Sequence, residues 1–125
     1  MLHVFISLRC DGKSYNEMLL AQKAILNAYK EKSLRNKNSY DLVDSLSKDY
    51  NPENKTSQNR IEFLGKSITK MREADVVLIP LDYRKSKGCT VEALTAKIYG
   101  LPIVTYLIGD TDSNVYFLDG LIETF

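Results

Sequence analysis

Two continuous apolar segments, separated by an interval of helical length, constrain the fold of this chain more than any other feature. The segments are Val76–Pro80 (VVLIP) and Ile103–Ile108 (IVTYLI), and neither alternates between apolar and polar residues. A strand with one face in water shows such an alternation, whereas a strand covered on both faces does not. The unit from Ala74 to Val104 is therefore predicted to be a buried strand, a loop, a helix and a second strand.

The segment before this unit also combines strands with a helix. Leu2–Ile6 (LHVFI) is short, apolar and β-prone, which predicts a first strand. Ser14 and Glu17 have the spacing of a capping box, so a helix is expected to begin there and to end near Lys32. Tyr40–Val43 is expected to be a short second strand.

Two further helices follow from helical spacing of apolar residues. The second helix is preceded by a mainly irregular stretch, Ser45–Gln58, and carries a stripe that is expected to face the core. The residues of this stripe are Ile61, Leu64, Ile68 and Met71. The third helix is expected to run from about Cys89 to Tyr99 and to stop at Gly100. Its inward residues are expected to be Val91, Leu94 and Ile98.

Together these elements predict the α/β fold class. We expect one flavodoxin-like or Rossmann-like domain over residues 1–125, with a small parallel sheet in the order 2-1-3-4 and helices on both faces. Ligands of such sheets bind beyond the carboxyl ends of the strands, where the strand order reverses. That point lies between the first and third strands, so the loops Ser7–Lys13 and Leu81–Gly88 are expected to form the site.

Composition and charge limit the classes of function. The chain has 17 basic and 16 acidic side chains and a formal net charge of +1, which argues against a dedicated nucleic-acid binder. Its apolar stretches fall short of the roughly 20 residues that span a bilayer, and its N-terminus lacks the basic region of a signal peptide. Cys10 and Cys89 lack metal-ligand spacing and are expected to be thiols in a reducing, cytoplasmic setting. No metal and no cofactor are expected.

The second loop and the helix after it carry the residues best suited to chemistry. Ser86, Gly88 and the first helical N–H groups are expected to cradle an anion. Glu92 is expected in the first turn of the helix, where the helix dipole and nearby basic residues would keep it ionised. Those basic residues are Arg84, Lys85 and Lys87. An ionised carboxylate in a crevice can attack an anomeric carbon, although first-turn glutamates without a function are common.

The first loop contributes Ser7, Arg9 and Gly12. The planar guanidinium of Arg9 suits bidentate contact with a phosphate or a sugar hydroxyl, and a surface arginine in a turn is an equally good interpretation. Asp82 is a candidate for binding a ribose hydroxyl or for capping its own loop. The expected crevice has Glu92 on one wall and Arg9 on the other.

Three stretches of the chain resemble the nucleoside 2-deoxyribosyltransferase superfamily, which includes the deoxynucleoside 5′-monophosphate N-glycosidases. They are Phe5–Arg9 followed by Gly12, then Ala74–Asp82, and then the series Ser86, Gly88, Glu92, Ala96, Gly100, Pro102 and Ile103. The resemblance covers roughly half of the chain and leaves its middle unmatched.

This resemblance implies a role for each matched residue. Glu92 would be the nucleophile toward C1′ of the deoxyribose. The residues that would contact sugar or phosphate are Ser7, Arg9 and Gly12. Ser86 and Gly88 would help to bind a 5′-phosphate. The resemblance also implies a homo-oligomer, in which a neighbouring subunit completes the site.

One position departs from the pattern of the superfamily. Its members commonly carry an aspartate in the second helix, eight residues before the aspartate of the Ala-Asp pair, and that aspartate is thought to place or protonate the substrate. The corresponding residue is Ser67. Asp44 and Asp49, in the loop after the second strand, are the candidates to replace the acid.

Two alternatives remain open at this stage. Val4–Ser7 and the series Tyr83, Ser86 and Cys89–Glu92 resemble TIR domains, which cleave the nicotinamide N-glycosidic bond of NAD. That resemblance also places the catalytic glutamate at Glu92. The other alternative, to which Ser67 points, is a nucleotide-binding module without catalysis. In each case the expected ligand is a nucleoside or nucleotide, and neither a nucleic acid nor a membrane.

Overall fold

A five-stranded sheet in the order β2-β1-β3-β4-β5 forms the centre of the computed structural model, which describes residues 1–10, 12–33, 39–48, 56–109 and 114–121. The strands are β1 (Leu2–Ile6), β2 (Tyr40–Leu42), β3 (Val76–Pro80), β4 (Ile103–Ile108) and β5 (Val115–Asp119). The first four pair in parallel and β5 is antiparallel to β4. The predicted α/β class and the order 2-1-3-4 are confirmed, and β5 extends the sheet beyond the prediction.

Three α-helices accompany the sheet in the described part of the chain: α1 (Tyr15–Lys32), α2 (Ser57–Lys70) and α3 (Lys87–Ile98). The capping box at the start of α1 is confirmed, because the Ser14 hydroxyl accepts the Glu17 N–H and the Glu17 carboxylate accepts the Ser14 N–H, both at 3.2 Å. α2 begins at Ser57, with Thr56 as its N-cap. Of the stretch predicted to be irregular, residues 57 and 58 are therefore helical, and residues 49–55 lie outside the described residues.

The core has two layers, one on each face of the sheet. One layer joins alternate residues of the central strands, such as Val4 and Leu78, to Ile25 of α1. The other joins the intervening strand residues, such as Phe5 and Val77, to small residues of α3. The predicted coverage of both sheet faces by helices is confirmed, and it explains why these strands show no polar alternation.

The face of α3 that packs on the sheet is opposite to the predicted one. Val91, Leu94 and Ile98 are 36%, 48% and 73% exposed. The buried residues of the helix are Cys89, Glu92, Ala93 and Ala96. Small side chains let the helix backbone approach the strands closely, so the alanine face packs inward and the bulkier face remains outside. The predicted inward stripe of α3 was therefore wrong.

The predicted core stripe of α2 is also partly wrong. α2 buries none of its residues, and Ile61 is 70% exposed. Ile68 packs against the core at its edge, and Met71, in the 3-10 turn that follows α2, is buried. Within the described ranges, no helix is long and apolar enough to cross a membrane.

Candidate functional site

Ser7 directly follows β1 and lies at the carboxyl edge of the sheet, between the ends of β1 and β3. Its backbone N–H donates to the Leu78 carbonyl of β3 at 2.9 Å. Its carbonyl accepts the Tyr106 hydroxyl, from β4, at 2.6 Å. Ser7 is therefore fixed from two neighbouring strands, and its side chain projects from a backbone that has little freedom to move.

Glu92 meets Ser7 at this edge. The Ser7 hydroxyl donates to Oε1 of Glu92 at 2.7 Å, and the Ser67 hydroxyl donates to Oε2 at 2.5 Å. The glutamate is only 6% exposed. Residues from three parts of the chain, the end of β1, the last turn of α2 and the second turn of α3, thus meet at one carboxyl group.

Burial raises the pKa of Glu92 above its ordinary value, while the hydrogen bonds from Ser67 and Ser7 oppose that change. The two causes that were predicted to keep Glu92 ionised, a position in the first turn of the helix and basic neighbours, were wrong. α3 begins at Lys87, so Glu92 lies beyond the first turn, where the dipole acts most strongly. The groups that hold the carboxyl group are neutral hydroxyls, and Arg84 instead donates from Nε to the Tyr83 hydroxyl at 3.1 Å.

Arg9 and Asp82 pair with each other at the rim of the site. Nη1 of Arg9 lies 2.8 Å from Oδ2 of Asp82, and the two side chains are 34% and 44% exposed. The sequence analysis assigned them separately to phosphate or sugar and to a ribose hydroxyl. The structure brings them together as an ion pair that joins the loop after β1 to the loop after β3. At this exposure such a pair is weak, so a phosphate can compete with Asp82 for the guanidinium at little cost.

Ser86 and Gly88 form the start of α3. The Ser86 hydroxyl accepts the Cys89 N–H at 3.3 Å and so serves as the N-cap of the helix. A Cβ added at Gly88 would meet only ordinary contacts, the nearest being Leu64 Cδ1 at 3.9 Å. Packing therefore does not require a glycine at position 88, and Ser86 and Gly88 lie at the positive end of the α3 dipole, where anions bind favourably.

Gly12, in the first loop, has a φ of +65°. Glycine adopts this conformation without strain, so the residue serves the turn whether or not it contacts a ligand. The preceding residue, Asp11, lies outside the described residues.

Two further groups adjoin the site. Burial raises the pKa of the Cys89 thiol, with contacts to the Ser7 and Ser86 hydroxyls acting in the opposite direction. Burial also raises the pKa of Tyr106 well above its usual value, and the neighbouring Cys89, Asp82 and Glu92 add to the effect. Both groups are therefore neutral hydrogen-bonding groups at ordinary pH. The position of Cys89 agrees with a packed thiol rather than a reactive one.

Sequence reasoning did not assign a site role to Ser67 or Tyr106. Tyr106 lies in an apolar strand whose pattern indicated only core. Ser67 was identified only as a departure from the superfamily pattern. Because the aspartate at that position acts on the substrate in the superfamily, the departure was the signal in the sequence that residue 67 lies near Glu92.

Of the two candidates to replace the absent acid, only Asp44 lies in the part of the chain that the structure describes, and the side chains that hold Glu92 there are Ser7 and Ser67. Asp44 lines a separate concavity of about 300 Å³, together with Lys66 and Lys70 of α2. Asp49 lies outside the described residues. Within the described ranges, no three side chains of His, Cys, Asp or Glu group together as metal ligands.

Comparison of this chain with protein-family models, with curated proteins and with solved structures finds no match. The resemblance to the deoxyribosyltransferase superfamily therefore rests on the sequence motifs alone, and the geometry of the site is the evidence that bears on function.

Proposed function

We propose that this chain cleaves or transfers the N-glycosidic bond of a deoxynucleoside or a deoxynucleoside monophosphate, with Glu92 as the nucleophile. The observation that carries the proposal is the carboxyl group of Glu92, held by the Ser7 and Ser67 hydroxyls at the carboxyl edge between β1 and β3. Ligands of sheets with this topology bind at that edge. Buried carboxyl groups with a raised pKa and fixed orientation are enriched at functional sites.

The chemistry requires an ionised carboxylate aimed at C1′. One oxygen of Glu92 forms a bond to C1′ while the C1′–N bond breaks and its electron pair leaves with the base. Water then attacks C1′ in hydrolysis, or a second base does so in transfer; the bond between C1′ and the Glu92 oxygen breaks, the carboxylate is released, and the proton lost by the attacking group goes to the departed base. The hydrogen bonds from Ser7 and Ser67, one to each oxygen, together fix the carboxylate plane before the attack.

The groups around Glu92 can bind the rest of the substrate. Arg9 is a cation at the rim that can exchange Asp82 for a phosphate, and Ser86 and Gly88 lie at the N-terminus of α3. Ser7 and Gly12 follow β1 and flank the same edge. The proposed ligand is therefore a nucleotide or nucleoside whose sugar lies over Glu92.

The experiment is a release assay with matched variants. The protein is incubated with deoxynucleoside monophosphates, with deoxynucleosides plus free bases, and with NAD, and released base or nicotinamide is measured. Glu92→Gln should abolish release, and Glu62→Gln, at a 61% exposed position of α2, should leave it unchanged. Full activity of Glu92→Gln on any substrate would exclude this mechanism.

A TIR-type NAD glycohydrolase is the second candidate, and Ser67 favours it. Both hydrogen bonds to Glu92 come from neutral hydroxyls, so neither partner is an acid that could protonate a departing base. Nicotinamide leaves NAD as a neutral molecule and needs no proton, whereas an ordinary purine or pyrimidine does. Nicotinamide release that Glu92→Gln abolishes would support this candidate over the first.

A binding module without catalysis would give a different result in the same assay. No substrate would turn over, yet a nucleotide would raise the melting temperature. Binding at a concentration of about 100 times Kd stabilises the folded state by about 2.7 kcal/mol.

We also propose that the chain forms a homo-oligomer. The exposed apolar face of α3, which consists of Val91, Leu94 and Ile98, supports this proposal, because such surfaces commonly mark contacts between proteins. Light scattering should give a multiple of the 14.2 kDa chain mass, and a mass of one chain would contradict the proposal.

A further inference from the structure

We propose that Ser67 is a positioning residue, whose hydroxyl fixes Oε2 of Glu92. An acid at position 67 would form a carboxylate pair with Glu92, whereas the uncharged serine leaves Glu92 to titrate without a coupled partner. Its effect on a reaction rests on the proposed function, whereas its effect on Glu92 itself does not. Nothing in the local pattern of α2 required a hydroxyl at this position.

The geometry of α2 supports a specific role for this contact. α2 buries none of its residues, so its place beside α3 does not come from a deep apolar face. The Ser67 hydroxyl nevertheless reaches Oε2 of Glu92 at 2.5 Å, and Leu64, one turn earlier, has its Cδ1 beside Gly88. A short hydrogen bond to a carboxylate is among the stronger polar contacts, and here it links α2 to the helix that carries Glu92.

The two serines hold different oxygens of the same carboxyl group. Ser7 is fixed by its own backbone bonds to β3 and β4 and holds Oε1, whereas Ser67 approaches from α2 and holds Oε2. With both bonds present, the plane of the carboxyl group is defined. With one bond lost, the group can rotate about the other, and the oxygen that would attack C1′ loses its fixed direction.

The charge of residue 67 determines how Glu92 titrates. Two carboxyl groups in hydrogen-bond contact cannot both ionise readily, so they share a proton and release it in coupled steps. A serine hydroxyl carries no charge and donates to the ionised form, which lowers the pKa of Glu92 relative to an environment without it.

The other titratable groups around the site do not change this result. Cys89 of α3 and Tyr106 of β4 have raised pKa values and stay neutral while Glu92 titrates. Asp82, in the loop after β3, is paired with Arg9 at the exposed rim.

The experiment measures the titration of Glu92 directly by NMR of protein labelled with ¹³C at the glutamate side-chain carboxyl group. The Glu92 resonance is assigned as the one that Glu92→Gln removes. Ser67→Ala should raise the pKa of Glu92, whereas Ser67→Thr, which keeps the hydroxyl, should leave that pKa as in the parent protein. Ser67→Asp should replace the single titration step of Glu92 by two coupled steps. Ser57→Ala, at an exposed position of α2, is the matched control and should leave the titration unchanged.

An unchanged Glu92 titration in Ser67→Ala, with a native circular dichroism spectrum, would overturn the proposal. A single uncoupled step in folded Ser67→Asp would overturn it as well. Where a substrate turns over, Ser67→Ala should lower kcat by about 10- to 100-fold, the equivalent of one hydrogen bond to a charged group, with little change in KM. If no substrate turns over, the NMR result still tests the role of Ser67, so the two failures can be told apart.

Discussion

Replacing Glu92 by glutamine should make the protein more stable at alkaline pH. Burial raises the pKa of Glu92 in the folded protein above its value in the unfolded chain, so the folded state binds this proton more tightly. The resulting stability is fully present below the unfolded-state pKa and is lost as the pH rises through the folded-state pKa. Glutamine has no charge to desolvate, and the Ser7 and Ser67 hydroxyls can each donate to or accept from its amide.

The magnitude follows from the linkage between protonation and folding. Above both pKa values, each unit by which burial raises the pKa of Glu92 lowers the free energy of unfolding by about 1.4 kcal/mol. Glu92→Gln should remove this loss, so its advantage over the parent protein should appear only as the pH rises. Glu92→Ala should instead be destabilised at every pH, because it leaves the 1% exposed Ser7 without its acceptor at a cost of about 1–3 kcal/mol.

Urea unfolding, followed by circular dichroism at an acid and an alkaline pH, measures both effects. We predict that the free energy of unfolding of Glu92→Gln exceeds that of the parent protein by an amount that grows with pH. Parallel stability curves for the two proteins would refute the argument that burying this carboxyl group is costly.

Three further predictions concern the groups around Glu92. Gly88→Ala should raise the free energy of unfolding by about 0.5–1 kcal/mol, because a Cβ there meets only ordinary contacts, and a loss of stability in urea unfolding would contradict this. A double-mutant cycle of Arg9→Ala and Asp82→Ala should give a coupling free energy of at most about 1 kcal/mol, because the two side chains are 34% and 44% exposed, and high salt should reduce it. A larger coupling free energy that does not depend on salt would contradict this exposure. An aromatic disulfide reagent should label Cys10 in the folded protein and Cys89, which is 1% exposed, only on unfolding; equal labelling rates would contradict the burial of Cys89.

The central strands of this fold were predictable because their local composition shows that both of their faces are buried. Val76–Pro80 and Ile103–Ile108 are apolar throughout, and only strands covered on both faces have that pattern. The capping box of Ser14 was equally local. The sequence left the last eleven residues undecided between a strand and other structure. The edge strand Val115–Asp119 is half exposed and pairs antiparallel with β4, so it has neither a continuous apolar run nor a fixed place in the alternation of strands and helices.

The packing of α3 could not be predicted from the spacing of its large residues. Val91, Leu94 and Ile98 follow helical spacing as well as any core stripe does, but Ala93 and Ala96 occupy the face that fits closely on the sheet. Apolar residues on both faces of a helix leave its orientation undecided until the neighbouring strands are known.

The candidate site was predicted in part. The meeting of Ser7 with Glu92 follows from topology, because both lie at the carboxyl edge where the strand order reverses. The contribution of Ser67 and the raised pKa of Glu92 depend on how α2 and α3 sit against each other and on how deeply the carboxyl group is buried. Neither property has a signature in the local sequence.

We propose that Glu92 attacks the sugar carbon of an N-glycosidic bond. The most direct test is an acid quench of the protein during turnover of a deoxynucleoside monophosphate, followed by tryptic digestion and mass spectrometry. We predict a mass increase of one deoxyribosyl phosphate on the peptide Gly88–Lys97, located at Glu92 and absent from Glu92→Gln. Base release by folded Glu92→Gln at an undiminished rate, with no adduct on that peptide in the parent protein, would contradict it.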